Sequence, residues 1–283
     1  VASVDERAPI GVFDSGLGGL TVLRALHERL TAEDLIYFGD TARVPYGTKG
    51  EKTVRAFARQ DAGLLVARGV KMVVVACNTA SAFALDYLRE ILPVPVLGVI
   101  NPGVRTALAA TAGGPVGVIG TSGTIRSLKY QEGLAAGGLD AKRIVARECP
   151  LLVPLVEEGL LGHRLTELAL AEYLTAVREA GVDTLILGCT HYPLLKQEIA
   201  AFMGAGVKLV DSADALATAA QARLAALGLL RDETAGRPGE LSFLLSDIPW
   251  KFQEIGARFL GKPIVNMQTV ELDEMEEAGH AIG

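Results

Sequence analysis

Short apolar runs alternate with helix-length segments along most of this chain, and no other feature limits its fold so strongly. The runs at 10–13, 35–39, 72–76, 96–99, 116–119, 142–146, 184–187 and 208–210 are built mainly from Val, Ile, Leu and other apolar residues and are too short for ordinary helices. The segments between them, such as 20–30, 53–68, 81–91, 125–133 and 163–180, have helical length and spacing. Strands separated by helices build a largely parallel sheet, because each parallel pair needs a crossover long enough to hold a helix. The expected class is therefore α/β. Most of the runs end in Gly, Ser, Thr, Asn or Asp, and ligands of open α/β sheets sit at the carboxyl ends of strands.

The order of elements also repeats. GVFDSGLGGLTVLR at 11–24 is echoed by GVIGTSGTIRSLKY at 117–130, and each half then reaches a strand that ends in cysteine, VVACNTAS at 74–81 and LILGCTHYP at 185–193. A repeat that is weak in identity but constant in order predicts two similar α/β domains. A pseudo-twofold axis between them would turn both cysteine loops toward one cleft. Pro93, Pro95, Pro102 and Gly103 mark a crossing near 98, and a return crossing near 209 brings the chain back. The expected domains are thus 1–98 with 209–265, and 99–208, followed by an acidic tail at 266–283. Within the returning part, 213–227 reads as helix, 232–240 as a polar stretch and 241–245 as a strand, and the acidic end ELDEMEEAGHAIG reads as frayed.

Two of only three cysteines, Cys77 and Cys189, therefore occupy the same point of the same local pattern. A lone cysteine at a strand end is ordinarily a small core residue, which is the reading for Cys149. Matched cysteines, each followed by polar side chains where a helix starts, favour chemistry. Backbone N–H groups at such a start, with Asn78, Thr79 and Thr190 beside them, suit a carboxylate and favour a thiolate. His191, two residues after Cys189, adds a proton-transfer group. Asp14, Asp40 and Glu157 are the acidic candidates, each weighed against a capping or surface role. A metal site from Cys77, Cys189 and His191 lacks the close CxxC or HxxxH-type pair of zinc sites, so no metal is expected. A Cys189–His191 nucleophile is an alternative that leaves Cys77 idle.

Bulk properties exclude other classes. The net charge of −6 without a long basic run argues against a dedicated nucleic-acid or membrane-surface protein. No run approaches the roughly 18 apolar residues of a membrane span, and VASVDERAPIG shows no signal h-region. An odd cysteine count without CxxC points to a reducing compartment, the cytoplasm. DSGLGG is not the dinucleotide fingerprint, since Thr21 stands where its last glycine belongs, and Lys49, Lys71 and Lys129 have no Schiff-base context.

DSGLGG at 14–19, YFGDTARVPYG at 37–47, CNTAS at 77–81 and GCTHYP at 188–193, in this order, resemble the glutamate racemases. The resemblance implies two α/β domains with the active site between them, and cofactor-independent interconversion of L- and D-glutamate that supplies D-glutamate for bacterial peptidoglycan. It implies Cys77 and Cys189 as the catalytic pair, with Asp14, His191 and Glu157 assisting proton transfer. It places Asp14, Ser15, Tyr46, Gly47, Asn78, Thr79, Thr190 and His191 against the substrate, and Thr121 and Thr124 in a further carboxylate-binding turn. The related aspartate racemases tend to carry an acidic residue where this chain has His191, which makes glutamate the expected substrate and aspartate the alternative. The expected partner is a small molecule, with no nucleic acid and no membrane. The resemblance leaves room for a homodimer and for a minor, non-enzymatic effect on DNA gyrase.

Overall fold

A computed structural model describes residues 5–232, 237–250 and 252–282. The strands are β1 (Ile10–Asp14), β2 (Leu35–Gly39), β3 (Met72–Val75), β4 (Val96–Gly98), β5 (Val116–Gly120), β6 (Ile144–Glu148), β7 (Thr184–Gly188), β8 (Lys208–Asp211), β9 (Leu241–Leu245) and β10 (Met267–Thr269). Helices α1 (Leu20–Arg29), α2 (Glu51–Ala67), α3 (Asn78–Ile91) and α4 (Ile100–Ala110) accompany the first four strands. The next are α5 (Ser122–Arg126), α6 (Lys129–Ala136), α7 (Leu152–Glu157), α8 (Arg164–Glu179) and α9 (Lys196–Met203). The chain ends with α10 (Ser212–Leu227), α11 (Phe252–Leu260) and α12 (Leu272–His280).

The strands form two sheets, ordered β10-β9-β2-β1-β3-β4 and β6-β5-β7-β8, and every pairing is parallel. Each sheet belongs to one lobe, as the α/β reading requires. The central strands β1, β3, β5 and β7 are buried along their whole length, because helices cover both faces of a parallel sheet. The second sheet's edge strands β6 and β8 are only partly buried. Register places Asp14 beside Gly39 in one sheet and Gly120 beside Gly188 in the other, so the carboxyl ends of the central strands are level.

Three local expectations are corrected. The helix expected at 125–133 is two helices, α5 and α6, broken at Leu128, whose φ of 61° is incompatible with a continuous helix. Strand β8 stays in the second sheet to Asp211, two residues past the expected return, and the Asp211 carboxylate then caps α10 by accepting the Ala213 N–H at 2.9 Å. The acidic tail is not frayed. Residues 267–269 add the strand β10, and α12 packs on α2 with Met275 fully buried. Arg59 Nε donates to the Gly279 carbonyl at 2.8 Å, and Arg68 pairs with Glu274. The charges that suggested solvation occupy the outer face of an amphipathic helix. Of the polar stretch at 232–240, positions 233–236 lie outside the described residues, as do the first four residues of VASVDERAPIG and the final glycine of the acidic end.

Candidate active site

Strand β3 leads through Ala76 into Cys77, which is the N-cap of α3 and whose Sγ accepts the Ala80 N–H at 3.4 Å. The same sulfur donates to Ser15 Oγ at 3.7 Å. Ser15 follows Asp14, the last residue of β1, which is fully buried. Asp14 Oδ2 accepts the Gly16 N–H at 3.0 Å, while Oδ1 has no hydrogen-bond partner among the described residues. Burial raises the Asp14 carboxyl above its ordinary value, against the pull of His191 and the N–H groups of Gly19, Gly16 and Ser15. Burial, joined by the neighbouring charge of Asp14, pushes the Cys77 thiol up to about 12, although the Ala80 N–H and Ser15 act in the opposite direction.

The second lobe supplies the matching arrangement. After β7 come Cys189, Thr190 and His191, and a 3-10 turn at Tyr192–Leu195 admits Pro193 in its first residues before α9 begins. Cys189 Sγ lies 3.8 Å from His191 Nδ1, and His191 Nε2 lies 2.9 Å from Glu157 Oε1 at the end of α7. The imidazole also meets the Phe259 ring edge-on at 5.2 Å. Burial disfavours charge on the ring, but the hydrogen bonds to Cys189 and Glu157 outweigh it, and His191 is raised to about 10.

Both sulfurs face one cavity of about 300 Å³ between the lobes. The first lobe contributes Ser15, Tyr46, Gly47, Cys77, Asn78 and Thr79 to its wall, and the second contributes Thr121, Glu157, Cys189, Thr190 and His191. Asn78 Oδ1 is held by the Tyr130 hydroxyl at 2.7 Å, leaving Nδ2 buried without a partner among the described residues. Across the seam, Thr79 Oγ1 lies 3.0 Å from Thr121 Oγ1 and 3.3 Å from Thr124 Oγ1, and Thr21 Oγ1 donates to the Thr190 carbonyl at 3.1 Å.

Two of the expected site residues stand behind the wall rather than in it. Asp14 is beneath Cys77 and reaches His191 electrostatically, and Thr124 touches the cavity only through Thr121 and Thr79. Tyr46 is in the wall, but its hydroxyl is committed to Asp40 and Asp61 and not to the cavity. Cys149 is buried away from the cavity, with Sγ 3.7 Å from the Arg147 carbonyl. The residues that sequence reasoning missed are mostly apolar: Val44 and Pro45 from the first lobe, and Pro150, Val153 and Pro154 from the second. Only the adjacency of Val44 and Pro45 to Tyr46, and of Pro150 to Pro154 with the Glu157 turn, could have pointed to them.

The family model for Asp/Glu/hydantoin racemases matches residues 10–220. A glutamate racemase of Geobacter metallireducens is 49% identical over 268 residues, spanning 95% of this chain and 98% of that protein. The crystal structure of glutamate racemase from Thermus thermophilus in complex with beta-chloro-D-alanine superposes with a TM-score of 0.85 at 45% identity, covering 95% of this chain and 99% of that one. The Francisella tularensis glutamate racemase in complex with D-glutamate gives 0.87 at 38% identity, covering 95% and 99%. The matched span runs from the first residue of β1 to beyond β8 and takes in both cysteine loops, so the chain belongs to the Asp/Glu/hydantoin racemase family.

Proposed function

We propose that this chain interconverts L- and D-glutamate without a cofactor, with Cys77 and Cys189 as the two proton carriers. The observation that carries this reading is a single cavity lined by one thiol from each lobe. Racemisation needs a proton taken from one face of Cα and another delivered to the opposite face. In one stroke a thiolate takes the Cα proton and becomes a thiol. The other thiol gives its proton to the opposite face and is left as the thiolate.

The surroundings of the two sulfurs differ in a way that suits such a division. With its thiol pushed up to about 12, Cys77 rests protonated, a proton donor beside Asp14. His191, raised to about 10, is an imidazolium at neutral pH and supplies the cation against which a Cys189 thiolate forms. Glu157 holds that ring from its other nitrogen. Charge developing on the substrate carboxylate meets the free Asn78 Nδ2–H group and the Thr79, Thr121 and Thr190 hydroxyls of the cavity wall.

Cys77→Ser and Cys189→Ser test the reading. Each is expected to lower kcat in both directions by about 10²–10⁴, the range of a lost acid/base group, while glutamate still binds. Cα should take up deuterium from heavy water during wild-type turnover. Undiminished turnover by the Cys77→Ala/Cys189→Ala double variant overturns the proposal, and turnover of aspartate alone overturns only the choice of substrate. On this reading D-glutamate is made for peptidoglycan synthesis in the cytoplasm, a setting that three unpaired cysteines suit. The homodimer belongs to the same reading and is tested by light scattering.

One observation favours a second reading. The chain Cys189 Sγ, His191, Glu157 has the order of nucleophile, base and orienting carboxylate, as in a cysteine acyl hydrolase or transferase. It predicts a trappable thioester on Cys189 and indifference to Cys77→Ser. Loss of activity in Cys77→Ser rejects it.

A further inference from the structure

Behind the cavity wall at 44–47 lies a buried cluster that the racemisation chemistry does not use. Asp40 directly follows β2, Asp61 projects from α2, and both are fully buried. Arg43 Nε faces Asp40 Oδ1 and Oδ2 at 3.0 and 2.8 Å, and Arg43 Nη2 reaches Asp61 Oδ1 at 2.9 Å. Gln60 accepts from Arg43 Nη1, the Phe57 ring stacks against the guanidinium at 4.2 Å, and Ser246 Oγ donates to Asp40 Oδ1 at 2.9 Å. Tyr46 Oη bonds to Asp40 Oδ2 and lies 2.9 Å from Asp61 Oδ2.

The hydrogens can be counted. A phenol has one hydrogen to give, so Tyr46 Oη satisfies both carboxyl oxygens only if one of them brings its own proton. Asp40 shares the single Arg43 Nε–H between its two oxygens and takes a second hydrogen from Ser246, which favours its ionised form, whereas Asp61 takes one hydrogen, from Arg43 Nη2. The proton therefore belongs on Asp61 Oδ2, which donates to Tyr46 Oη, while Tyr46 donates to Asp40. With one guanidinium, one carboxylate and one carboxylic acid the cluster is neutral, which suits two fully buried aspartates. Burial, reinforced by the charge of Asp40, raises the Asp61 carboxyl well above its ordinary value against the pull of Arg43.

We infer that Asp61 is a positioning residue: as a neutral carboxylic acid it fixes Tyr46 and Arg43, and through them the 44–47 wall of the substrate cavity. The wall has little room to move, since a Cβ on Gly47 would lie 2.7 Å from Thr121 Cβ in the other lobe. Its effect on glutamate rests on the racemase reading above.

Asparagine reproduces the hydrogen-bond pattern of a protonated aspartic acid, accepting from Arg43 and donating to Tyr46. Asp61→Asn is therefore expected to keep the wild-type KM and kcat for glutamate. Asp61→Ala is expected to raise KM about tenfold, as for loss of one to two buried hydrogen bonds, with kcat changed much less. The infrared difference between wild type and Asp61→Asn should contain the C=O band of a protonated carboxylic acid. Wild-type KM in Asp61→Ala, impairment of Asp61→Asn equal to that of the alanine variant, or no acid band overturns the inference. If Asp61→Ala does not fold, Tyr46→Phe decides: a raised KM supports the relay and an unchanged KM overturns it. The infrared band is independent of turnover, so a wild type that fails to racemise glutamate ends the functional reading without deciding this one.

Discussion

Gly18 lies directly against Thr190: a Cβ built on the glycine would sit 2.2 Å from Thr190 Oγ1 and 2.5 Å from His191 Nδ1. Gly18 of the DSGLGG turn thus lets the second lobe's Thr190–His191 loop approach the first. Gly18 is not in the left-handed region, so alanine is tolerated by the backbone and fails only by collision. Gly18→Ala should keep its fold, as read by circular dichroism, and lose about 10²-fold in kcat, the order expected when reacting groups are displaced by about 1 Å. Wild-type kcat in a folded Gly18→Ala protein would show that this approach is not needed.

Glu157 and Cys189 together hold His191 up at about 10, so Glu157→Gln should lower it. A histidine whose folded value is raised contributes stability that is fully present below its unfolded value, about 6.5, and is lost as pH rises through the folded one. Wild type should therefore be more stable than Glu157→Gln at pH 7, and the difference should disappear above about pH 10. The alkaline limb of kcat should move to lower pH in the variant if imidazolium is the active form. Chemical denaturation and rate profiles across pH read the two effects separately.

The sequence made the strands and the paired cysteines legible for a physical reason: parallel strands buried on both faces need unbroken apolar runs, and the loop after each run must expose its functional groups. Cys77 and Cys189 stand out because polar side chains follow an apolar strand at once. The partners of these groups were not legible. Val153 looks like any helix residue and Pro154 like a proline of a helix's first turn, and Asp61 looks like an acidic residue of an amphipathic helix although it is wholly buried. Its contacts depend on how α2 lies against the 40–46 loop, and no local pattern encodes that. The break at Leu128 escaped for a related reason, since an ordinary leucine gives no sign of a positive φ.

The amine of Lys71 is consumed by structure. Nζ donates to Glu33 Oε2 at 2.5 Å, to the Glu6 carbonyl at 2.6 Å and to the Leu229 carbonyl at 2.8 Å, and the lysine is fully buried. It ties the amino-terminal segment to the segment after α10. Lys71→Met strands the Glu33 carboxylate in the interior and should cost about 3–5 kcal/mol of stability, the range for breaking a buried pair. Urea unfolding reads the loss, while kcat measured well below the transition should stay at the wild-type value. Adding Glu33→Gln should recover part of the lost stability, because it removes the uncompensated charge.

Helix α12 is held by packing that its acidic composition hides. Met275 is fully buried, and Gly63 of α2 permits a contact no larger residue allows, since a Cβ there would lie 2.5 Å from the Ala278 carbonyl oxygen. Met275→Ala should therefore destabilise the protein by about 2–5 kcal/mol, as for other large-to-small changes in a core. Gly63→Ala should also destabilise it by overpacking, by about 1–3 kcal/mol. Because α12 rests on the helix that carries Asp61, hydrogen exchange in α2 should quicken in both variants. A wild-type unfolding midpoint and unchanged exchange would mean that α12 contributes nothing to the first lobe.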